Sequence, residues 1–409
     1  MNRALPVRLL TYTTLYPSAS QPQHGIFVEN RLRQIVALEG VSARVVAPVP
    51  WFPLSGARFG RYGAYAGIAR RETRFGIDIR HPRYPVIPRI GMSIAPGLLY
   101  QATRRLVSTM RDDEIGFDVI DAHYFYPDGV AAAMLGRALG RPVVISARGT
   151  DINLIPDYPT PRQLILRAAS QAAAIIAVSD ALRRRMIEIG VEAAKITVLR
   201  NGVDTGIFAP VDRARARAEL GVKRPAMVAA GNVLAAKGQD VAIRALLLLD
   251  DMELLVVGAG PDEAAFAALA HSIGVADRVR FVGRVPHGDL ARYFSAAEVS
   301  VLPSMREGWP NVLLESLACG TPVVASNVGG VSEIITSADV GRIMPERTPE
   351  ALADAVRSLR ASPPDRDRVR AYAAEFGWEE TARAQRALYA EVISTFAAAG
   401  GRCVPSRRS

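Results

Sequence analysis

Short apolar runs alternate with amphipathic stretches along the chain. Apolar runs of four to six residues bounded by turns predict buried parallel strands, and the 3.6-residue spacing between them predicts helices. Such alternation indicates a doubly wound α/β sheet. In the first half, strands are predicted at 8–12, 43–47, 118–122, 143–146 and 175–178, and helices at 28–39, 129–139 and 164–173.

The same pattern starts again after the turn-forming residues Asn201-Gly202-Val203-Asp204. We therefore predict two successive α/β domains of similar size, followed by a last amphipathic helix near 378–396. In the second domain, strands are predicted at 226–230, 254–257, 279–282, 299–302 and 323–325, and helices at 240–249, 262–273, 290–294, 312–318 and 349–360.

Length and composition agree with this picture. The chain has 409 residues, of which 49% are hydrophobic and 22% charged, which excludes disorder as a description of the whole chain. Its two cysteines, Cys319 and Cys403, exclude a disulfide scaffold. No apolar run approaches the ~20 residues of a membrane-spanning helix, and the N-terminus lacks the apolar core of a signal peptide. We expect a cytoplasmic protein.

The net charge of +10 is unevenly distributed. Residues 1–200 carry 26 Lys and Arg against 15 Asp and Glu, whereas residues 201–409 carry 24 against 25. The densest basic segment, 58–111, has eleven Arg and only Glu72 and Asp78 as acids. It is either a solvated surface or a platform on anionic lipid. Nucleic acid is disfavoured because no helix-turn-helix, zinc-finger or RNA-recognition pattern is present.

The segment Glu307-Gly-Trp-Pro-Asn-Val-Leu-Leu-Glu315 carries the strongest chemical signal. It places two carboxylates on either side of a helix start near Asn311, just after a predicted strand. Free N–H groups at a helix start bind phosphates, and carboxylates accept hydrogen bonds from sugar hydroxyls. The alternative is that Asn311 is an ordinary N-cap and that Glu315 lies on a solvated face.

Two glycine-bearing loops follow predicted strands in the second domain. The first, 231–238, contains Lys237, which suits a diphosphate but lacks the spacing of a P-loop. The second begins Gly258-Ala-Gly260, but Glu263 stands where a dinucleotide motif has its third glycine. The sequence therefore gives only weak support for a dehydrogenase, which would transfer hydride to or from a bound dinucleotide.

In the first domain, candidate residues also follow predicted strands. They are Gly25, His123 and Arg148. A hydrolase triad is not indicated, because there is no G-x-S-x-G motif. No Cys/His cluster indicates zinc, and Asp365 with Asp367 fits the acidic preference of a helix start. We infer no obligatory metal.

Together these motifs resemble the retaining glycosyltransferases of family 4. The E-x7-E motif from Glu307 to Glu315 is the most specific match. The other matching segments are 201–204 with Phe208, Gly231 with Lys237-Gly238, 279–283, 316–325, Gly329-Gly330 with Glu333, and Phe376-Gly377-Trp378. The resemblance implies the GT-B fold: two Rossmann-like, doubly wound domains that face each other across a cleft. It implies domains at 1–204 and 205–377, a helix at 378–397 that returns to the first domain, and a disordered tail at 398–409.

The resemblance also implies a sugar transfer from a nucleotide-diphosphate donor, with retention of anomeric configuration. Lys237 and the backbone at 311–313 would hold the diphosphate, Glu315 the ribose hydroxyls and Glu307 the sugar hydroxyls. The base would face Gly283. The implied donor-binding residues are Gly25, Asn232, Lys237, Gly283, Glu307, Gly308, Asn311, Val312, Leu313 and Glu315, and the implied catalytic residues are Glu307, His123 and Arg148.

The implied partners are a nucleotide sugar, a glycan or lipid-linked glycan acceptor near His123, and an anionic membrane at the basic half. The protein would then act at the inner face of the cell membrane, in exopolysaccharide, capsule or lipopolysaccharide synthesis. Two departures from the family pattern stand out: Asn232 replaces a common Arg, and Arg148 replaces a common His. The alternatives are another GT-B enzyme, such as a sugar-nucleotide epimerase or a phosphorylase, and a non-catalytic membrane-surface protein.

Overall fold

A computed structural model describes residues 6–52, 54, 56, 60–86 and 91–400, without the side chains of residues 60–62. Arg58, Cys403 and most of the predicted tail lie outside the described residues. The chain divides into an N-terminal unit, Met1–Arg200 with Glu379–Ser409, and a C-terminal unit, Asn201–Trp378. The sequence prediction places the first boundary four residues later, at 204/205.

The N-terminal unit is an α/β unit with a helix following most of its strands. Its strands are β1 (Val7–Tyr12), β2 (Val41–Val46), β3 (Val49–Pro50), β4 (Arg71–Arg74), β5 (Ile77–Arg80), β6 (Arg83–Tyr84), β7 (Val119–His123), β8 (Val143–Ala147), β9 (Ala174–Ala177) and β10 (Ile196–Val198). Its first seven helices are α1 (Ile26–Val36), α2 (Gly60–Ala66), α3 (Gly91–Asp112), α4 (Val130–Leu139), α5 (Thr150–Asn153), α6 (Pro159–Gln171) and α7 (Asp180–Glu188).

Eight of these strands form one sheet in the order β10-β9-β8-β7-β1-β2-β5-β4. All neighbours run parallel except β4 and β5, which pair antiparallel at one edge. The short strands β3 and β6 form a separate parallel pair. The strand order reverses between β1 and β7, which is where open α/β sheets place ligands, beyond the carboxyl ends of the strands.

The C-terminal unit has the strand order of a dinucleotide-binding fold. Its strands are β11 (Ala226–Ala230), β12 (Glu253–Val257), β13 (Val279–Gly283), β14 (Val299–Leu302), β15 (Val323–Ser326) and β16 (Gly341–Met344). They form a wholly parallel sheet in the order β13-β12-β11-β14-β15-β16. This sheet has its reversal point between β11 and β14.

The helices of the C-terminal unit cover both faces of its sheet, as in other doubly wound folds. They are α8 (Arg213–Leu220), α9 (Gln239–Ala245), α10 (Glu263–Ser272), α11 (Leu290–Ala296), α12 (Asn311–Ala318), α13 (Val331–Ile334), α14 (Pro349–Ala361) and α15 (Arg366–Ala374). Asp365 caps α15 and accepts hydrogen bonds from the N–H groups of Asp367 and Arg368, which confirms the helix-start reading of this Asp pair.

The last helix, α16 (Trp378–Ala398), packs Ala382, Tyr389 and Val392 into the core of the N-terminal unit. It extends through residue 398, which the sequence prediction assigned to a disordered tail. None of the described helices combines the length and apolarity needed to cross a membrane. The main differences from the sequence prediction lie in 58–111, where the structure has the antiparallel pair β4–β5 and the 22-residue helix α3.

Candidate functional site

Lys237 and Glu307 meet at the reversal point of the C-terminal sheet. Lys237 follows β11 and Glu307 follows β14, the two strands that flank this point. The Lys237 Nζ lies 2.7 Å from Glu307 Oε1, and the Ser304 hydroxyl donates to the same oxygen at 2.7 Å. Glu307 is only 9% exposed, so the ion pair is shielded from water on one side. The structure thus brings together two of the sequence-predicted residues.

Helix α12 begins beside this pair. Pro310 precedes the helix, and the side chain of Asn311 accepts a hydrogen bond from Asn201 Nδ2 at 3.1 Å instead of capping the helix. The N–H groups of Asn311 and Leu313 donate to carbonyls two and three residues earlier. Among the described residues, the Val312 N–H has no such partner. Of the three predicted phosphate donors, Val312 is therefore the one that is directly available.

Glu315 lies one turn further along α12 and is not on a solvated face. Its Oε1 accepts a hydrogen bond from His287 Nε2 at 3.0 Å, and both side chains are largely buried. Burial opposes protonation of His287, but the hydrogen bond to Glu315 and its negative charge outweigh this, and the pKa of His287 is raised. The His287 ring also packs edge-on against Phe208, with ring centroids 5.0 Å apart.

Glycines allow the loops at this end of the sheet to touch. A Cβ on Gly329 would lie 2.1 Å from the Glu307 carbonyl oxygen, and one on Gly258 would lie 1.8 Å from the Gly231 carbonyl oxygen. The Gly330 N–H donates to the Gly308 carbonyl at 3.1 Å. The contact with Gly231 explains why position 258 is a glycine, without any need for a bound dinucleotide. Gly308 and Gly329 hold the backbone that carries Glu307.

Two other predicted donor-site residues lie at the ends of β13 and β11. Gly283 ends β13 with a φ of 79°, and the space beside it is open. Asn232 is exposed, and its backbone carbonyl accepts a hydrogen bond from Gln239 at 3.0 Å. Where many family members carry an arginine, Asn232 brings no positive charge to this end of the C-terminal sheet. Lys237 is the cation in contact with Glu307.

In the N-terminal unit, Gly25 caps the start of α1 with a φ of 69°. A Cβ at this position would lie 2.3 Å from the Leu15 carbonyl carbon and oxygen. The family resemblance implies that Gly25 binds the donor. In the structure, this glycine makes room for the preceding loop of its own unit.

His123 and Arg148 lie together at the ends of β7 and β8. Arg148 donates from its guanidinium to His123 Nδ1, and His123 Nε2 lies 2.8 Å from Asp121 Oδ2. Because arginine has no acceptor, Nδ1 must be the unprotonated nitrogen, and Nε2–H donates to Asp121. Burial lowers the pKa of His123 to about 4, with Asp121 opposing the shift and Arg148 adding to it. Both ring nitrogens are thus engaged within the protein, and His123 is not placed to exchange a proton with a substrate.

Asp151 holds the loop that carries Arg148. Its carboxylate accepts hydrogen bonds from the N–H groups of Arg148 at 3.0 Å, Gly149 at 2.7 Å and Phe125 at 2.6 Å. The Arg148 guanidinium lies over the Phe27 ring, 5.5 Å from its centroid. Since Phe27 belongs to the first turn of α1, the structure gathers the Gly25 loop, His123 and Arg148 at the reversal point of the N-terminal sheet.

Sequence reasoning missed Ser304, His287 and Asn201 as partners of Glu307, Glu315 and Asn311. Each is a common residue type that pairs with its partner only in the folded chain. His287, four residues after the end of β13, could have been noticed as a titratable group near a strand end. Among the described residues, no group of three or more His, Cys, Asp or Glu is placed to hold a metal ion.

Two family models match consecutive parts of the chain. The model described as Glycosyltransferase Family 4 matches residues 30–206, and the model described as Glycosyl transferases group 1 matches residues 211–376. The boundary between the matches falls within 207–210, near the junction of the two structural units.

Individual proteins match over most of their length. A D-inositol 3-phosphate glycosyltransferase of Kribbella flavida is 31% identical over 83% of this chain and 87% of its own. A putative teichuronic acid biosynthesis glycosyltransferase, TuaC of Bacillus subtilis, is 29% identical over 86% and 88%. The structure of Anabaena HepE in complex with UDP-glucose is 19% identical, with a TM-score of 0.70 over 95% of this chain and 99% of its own.

Two α/β units with parallel sheets, each with candidate residues at its reversal point, define an enzyme of the GT-B class. The chain belongs to glycosyltransferase family 4, and it is a glycosyltransferase. This confirms the family and the fold class expected from the E-x7-E motif.

Proposed function

We propose that this glycosyltransferase is a retaining hexosyltransferase that moves a sugar from a nucleotide-diphosphate donor to a lipid-linked glycan. The observation that carries the proposal is the contact between Lys237 and Glu307 at the reversal point of the C-terminal sheet, beside the start of α12. A cation, a helix start and a carboxylate at one sheet edge match the diphosphate and the hydroxyls of such a donor.

The donor site uses each of these groups for a different part of the donor. Lys237 and the Val312 N–H bind the diphosphate, and Glu307 accepts hydrogen bonds from the sugar hydroxyls. Glu315, held by His287, accepts hydrogen bonds from the ribose hydroxyls. The open space beside Gly283 takes the base. The HepE complex supports a nucleotide sugar as the ligand class, because that protein has the same fold and was solved with UDP-glucose.

Charge stabilisation of the leaving diphosphate drives the reaction. As the bond between the sugar and the diphosphate breaks, negative charge builds up on the phosphate oxygens, where Lys237 and the Val312 N–H stabilise it. The acceptor hydroxyl attacks from the same face that the diphosphate leaves, and its proton passes to the departing phosphate. We assign no enzyme nucleophile and no obligatory metal to this step.

The acceptor is a glycan carried on a lipid, and it binds the N-terminal unit near Arg148. Arg148 contributes a fixed positive charge, and His123 holds it in place without exchanging protons. TuaC, whose name refers to teichuronic acid biosynthesis, supports a role in the synthesis of a surface polysaccharide. The excess of basic residues in 1–200 supports work at the anionic inner face of the cell membrane and not on nucleic acid.

Binding and turnover of a panel of nucleotide sugars test this proposal. A true donor raises the melting temperature, since it binds the native state, and yields free nucleoside diphosphate that depends on an added glycolipid acceptor. We expect Lys237→Ala to reduce transfer by about 100-fold or more, as the loss of one charge-stabilising donor does in other enzymes. Glu315→Ala should also reduce transfer, because the ribose hydroxyls lose their hydrogen-bond acceptor. An epimerase would instead convert the sugar nucleotide without any acceptor.

The matched controls are Lys223→Ala and Glu346→Ala, which remove the same side chains from exposed positions of the C-terminal unit. Both controls should keep full activity and the same circular dichroism spectrum as the parent. Full activity in Lys237→Ala and Glu315→Ala would contradict the donor site. Stabilisation by a donor without any acceptor-dependent release would contradict the transfer reaction.

A further inference from the structure

Two neighbouring loops carry the lysine and the glutamate of the candidate donor site. The lysine loop, residues 231–238, follows β11, and the glutamate loop, residues 303–307, follows the adjacent strand β14. Their backbones meet where the Met305 N–H donates to the Ala236 carbonyl at 2.8 Å. The distance between the two charged side chains therefore depends on how firmly these loops are held together.

The side chain of Arg347 bridges the two loops. Its Nε donates to the Pro303 carbonyl of the glutamate loop at 2.7 Å, and its Nη2 donates to the Ala235 carbonyl of the lysine loop at 3.3 Å. The same Nη2 lies 3.3 Å from Asp240 Oδ1 in the first turn of α9, and this carboxylate balances the guanidinium charge. Because the donors of a guanidinium have fixed directions, one arginine can hold two carbonyls in a set arrangement.

The lysine loop is also held through the N–H group of Ala235. This N–H donates to Asp262 Oδ2 at 2.7 Å, so side chains from other segments bind both backbone groups of the residue. Ala235 begins the 3₁₀ turn that ends at Lys237. A shift of Ala235 would therefore move the lysine with it.

The place of Arg347 in the chain argues against a purely local role. It lies between β16 and α14, where Thr348 caps the helix by accepting from the Ala351 N–H at 3.1 Å. A positive charge just before a helix start is unfavourable, because the helix dipole is positive at that end. Arg347 instead reaches the loops that follow β11 and β14, and β15 lies between these strands and β16.

We propose that Arg347 is a positioning residue of the donor site, which ties the lysine loop to the glutamate loop and so holds Lys237 where it binds the donor diphosphate. The inference rests on the proposed function, because it takes Lys237 to be the ligand of the diphosphate. When the sugar hydroxyls donate to Glu307, its hold on the lysine weakens, and the backbone bridge keeps the lysine loop in place. In this role Arg347 binds backbone carbonyls and not the substrate.

Arg217 provides a matched control at the opposite edge of the same two strands. Its Nη1 donates to the Ala296 carbonyl at 3.3 Å, and its Nη2 donates to the Arg224 carbonyl at 2.8 Å. These carbonyls precede β14 and β11, so Arg217 bridges the segments that enter the strands, whereas Arg347 bridges the loops that leave them. Substitution of either arginine by methionine removes a guanidinium bridge and keeps an unbranched apolar stem.

The first test observes the lysine side chains of the full-length protein by NMR, with ¹³C at the ε-carbon. The chain has three lysines, and the Lys237 signal is assigned by its loss in Lys237→Ala. The Lys195 ammonium donates to the Ser170 carbonyl at 2.7 Å and serves as the reference for a held lysine, whereas the exposed Lys223 serves as the reference for a solvated one. In the parent we expect two distinct ε-proton signals for Lys237, as for Lys195.

In Arg347→Met we expect the Lys237 signal to move toward that of Lys223, because the lysine loop is no longer tied to the glutamate loop. In Arg217→Met it should keep its parent position, even if the melting temperature falls by as much. An unchanged Lys237 signal in Arg347→Met would overturn the inference, and so would equal movement in both variants.

The second test measures binding of inorganic pyrophosphate by titration calorimetry, which does not require the nucleotide or the sugar to be known. We expect Arg347→Met to weaken binding by about tenfold, the effect of losing one charge-assisted hydrogen bond. In a Lys237→Ala background the same substitution should have no further effect, since Arg347 acts through the lysine. Additive losses would mean that Arg347 binds the diphosphate itself, and would overturn the positioning role.

Arg347→Lys separates the bridge from the positive charge. This variant keeps the charge but replaces the planar fork with a single ammonium group, so pyrophosphate binding should remain weaker than in the parent by at least about threefold. Parent affinity in Arg347→Lys would contradict the bridge.

The third test measures kinetics with the donor selected by the nucleotide-sugar panel and a glycolipid acceptor. We expect Arg347→Met to raise the KM for the donor by about tenfold and to leave the KM for the acceptor unchanged. Equal changes in both constants would indicate a general loss of structure and would contradict the inference. A parent enzyme that transfers no sugar would instead contradict the proposed function, and the lysine NMR comparison would still decide whether Arg347 holds Lys237.

Discussion

The charged residues of the candidate donor site are paired with one another before any ligand arrives. Glu307 holds Lys237 at 2.7 Å, and His287 holds Glu315 at 3.0 Å. If the proposed donor site is correct, the donor diphosphate competes with Glu307 for Lys237, and the ribose hydroxyls share Glu315 with His287. Pairing of this kind keeps the side chains ordered, which reduces the entropy lost when the donor binds.

The His287–Glu315 pair predicts a pH dependence of stability. The pKa of His287 is raised above its unfolded value of ~6.5, so the native state holds the proton more tightly than the unfolded chain. The stabilisation is complete below pH ~6.5 and is lost as pH rises through the raised pKa of the folded protein. We expect His287→Gln to lower the free energy of unfolding by about 1 kcal/mol at pH 5.5, and by less at pH 8.5.

Urea denaturation of the parent and His287→Gln between pH 5 and 9 measures this difference. The control is His271→Gln, which changes an exposed histidine of α10 that has no side-chain hydrogen bond among the described contacts. At pH 5.5 the control should lose less stability than His287→Gln. A stability difference for His287→Gln that stays constant or grows with pH would contradict the prediction.

At the scale of secondary-structure elements, the candidate donor site lies on loops at one edge of the C-terminal sheet. The backbones of these loops approach each other too closely to leave room for a side chain. The loop after β15 lies against the backbone of Glu307 at Gly329, where the backbone also has a positive φ of 55°. A methyl group there must push the two loops apart or force Gly329 out of its conformation. The position of Glu307 thus depends on a residue that carries no chemistry.

We expect Gly329→Ala to reduce the free energy of unfolding by about 2 kcal/mol and to weaken donor binding in addition. Melting temperatures with and without the stabilising nucleotide sugar measure both effects. Gly288→Ala is the control, because a Cβ there meets only Ile207 at 3.7 Å without a positive φ. Equal effects of the two substitutions would refute the claim that Gly329 sets the donor edge.

For the whole molecule, the sequence pattern predicted most of the architecture. Buried strands such as β11 and β14 were predicted from their apolar runs, and the helices from their 3.6-residue spacing. The candidate donor residues were predicted because they follow the ends of strands. The hairpin β4–β5 was missed because Arg71–Arg74 is polar and only partly buried. Helix α3 was missed because Gly91, Pro96 and Gly97 obscure its periodicity. Pairs such as His287 with Glu315 depend on contacts across 28 residues, which no local pattern encodes.

The structure also sharpens the charge argument for membrane binding. Several guanidiniums of the basic segment have partners within the protein, such as Arg71 and Arg80 with Asp78. On α3, by contrast, the exposed side chains of Arg104 and Arg105 have no partner among the described contacts. Met92 and Ile94, 42% and 38% exposed, lie at the start of the same helix. The free charges and apolar groups of this helix together suit an anionic lipid surface.

Each basic residue near such a surface contributes ~1 kcal/mol, so reversing both charges on α3 should weaken vesicle binding by at least about tenfold. The experiment is cosedimentation of Arg104→Glu/Arg105→Glu with phosphatidylglycerol-containing vesicles at low and moderate salt. The control, Arg244→Glu/Arg292→Glu, makes the same charge change at exposed positions of the C-terminal unit. If net charge alone drives binding, both double variants lose affinity equally. If α3 is the contact, only the first does, because screening confines the attraction to charges within about 10 Å of the surface.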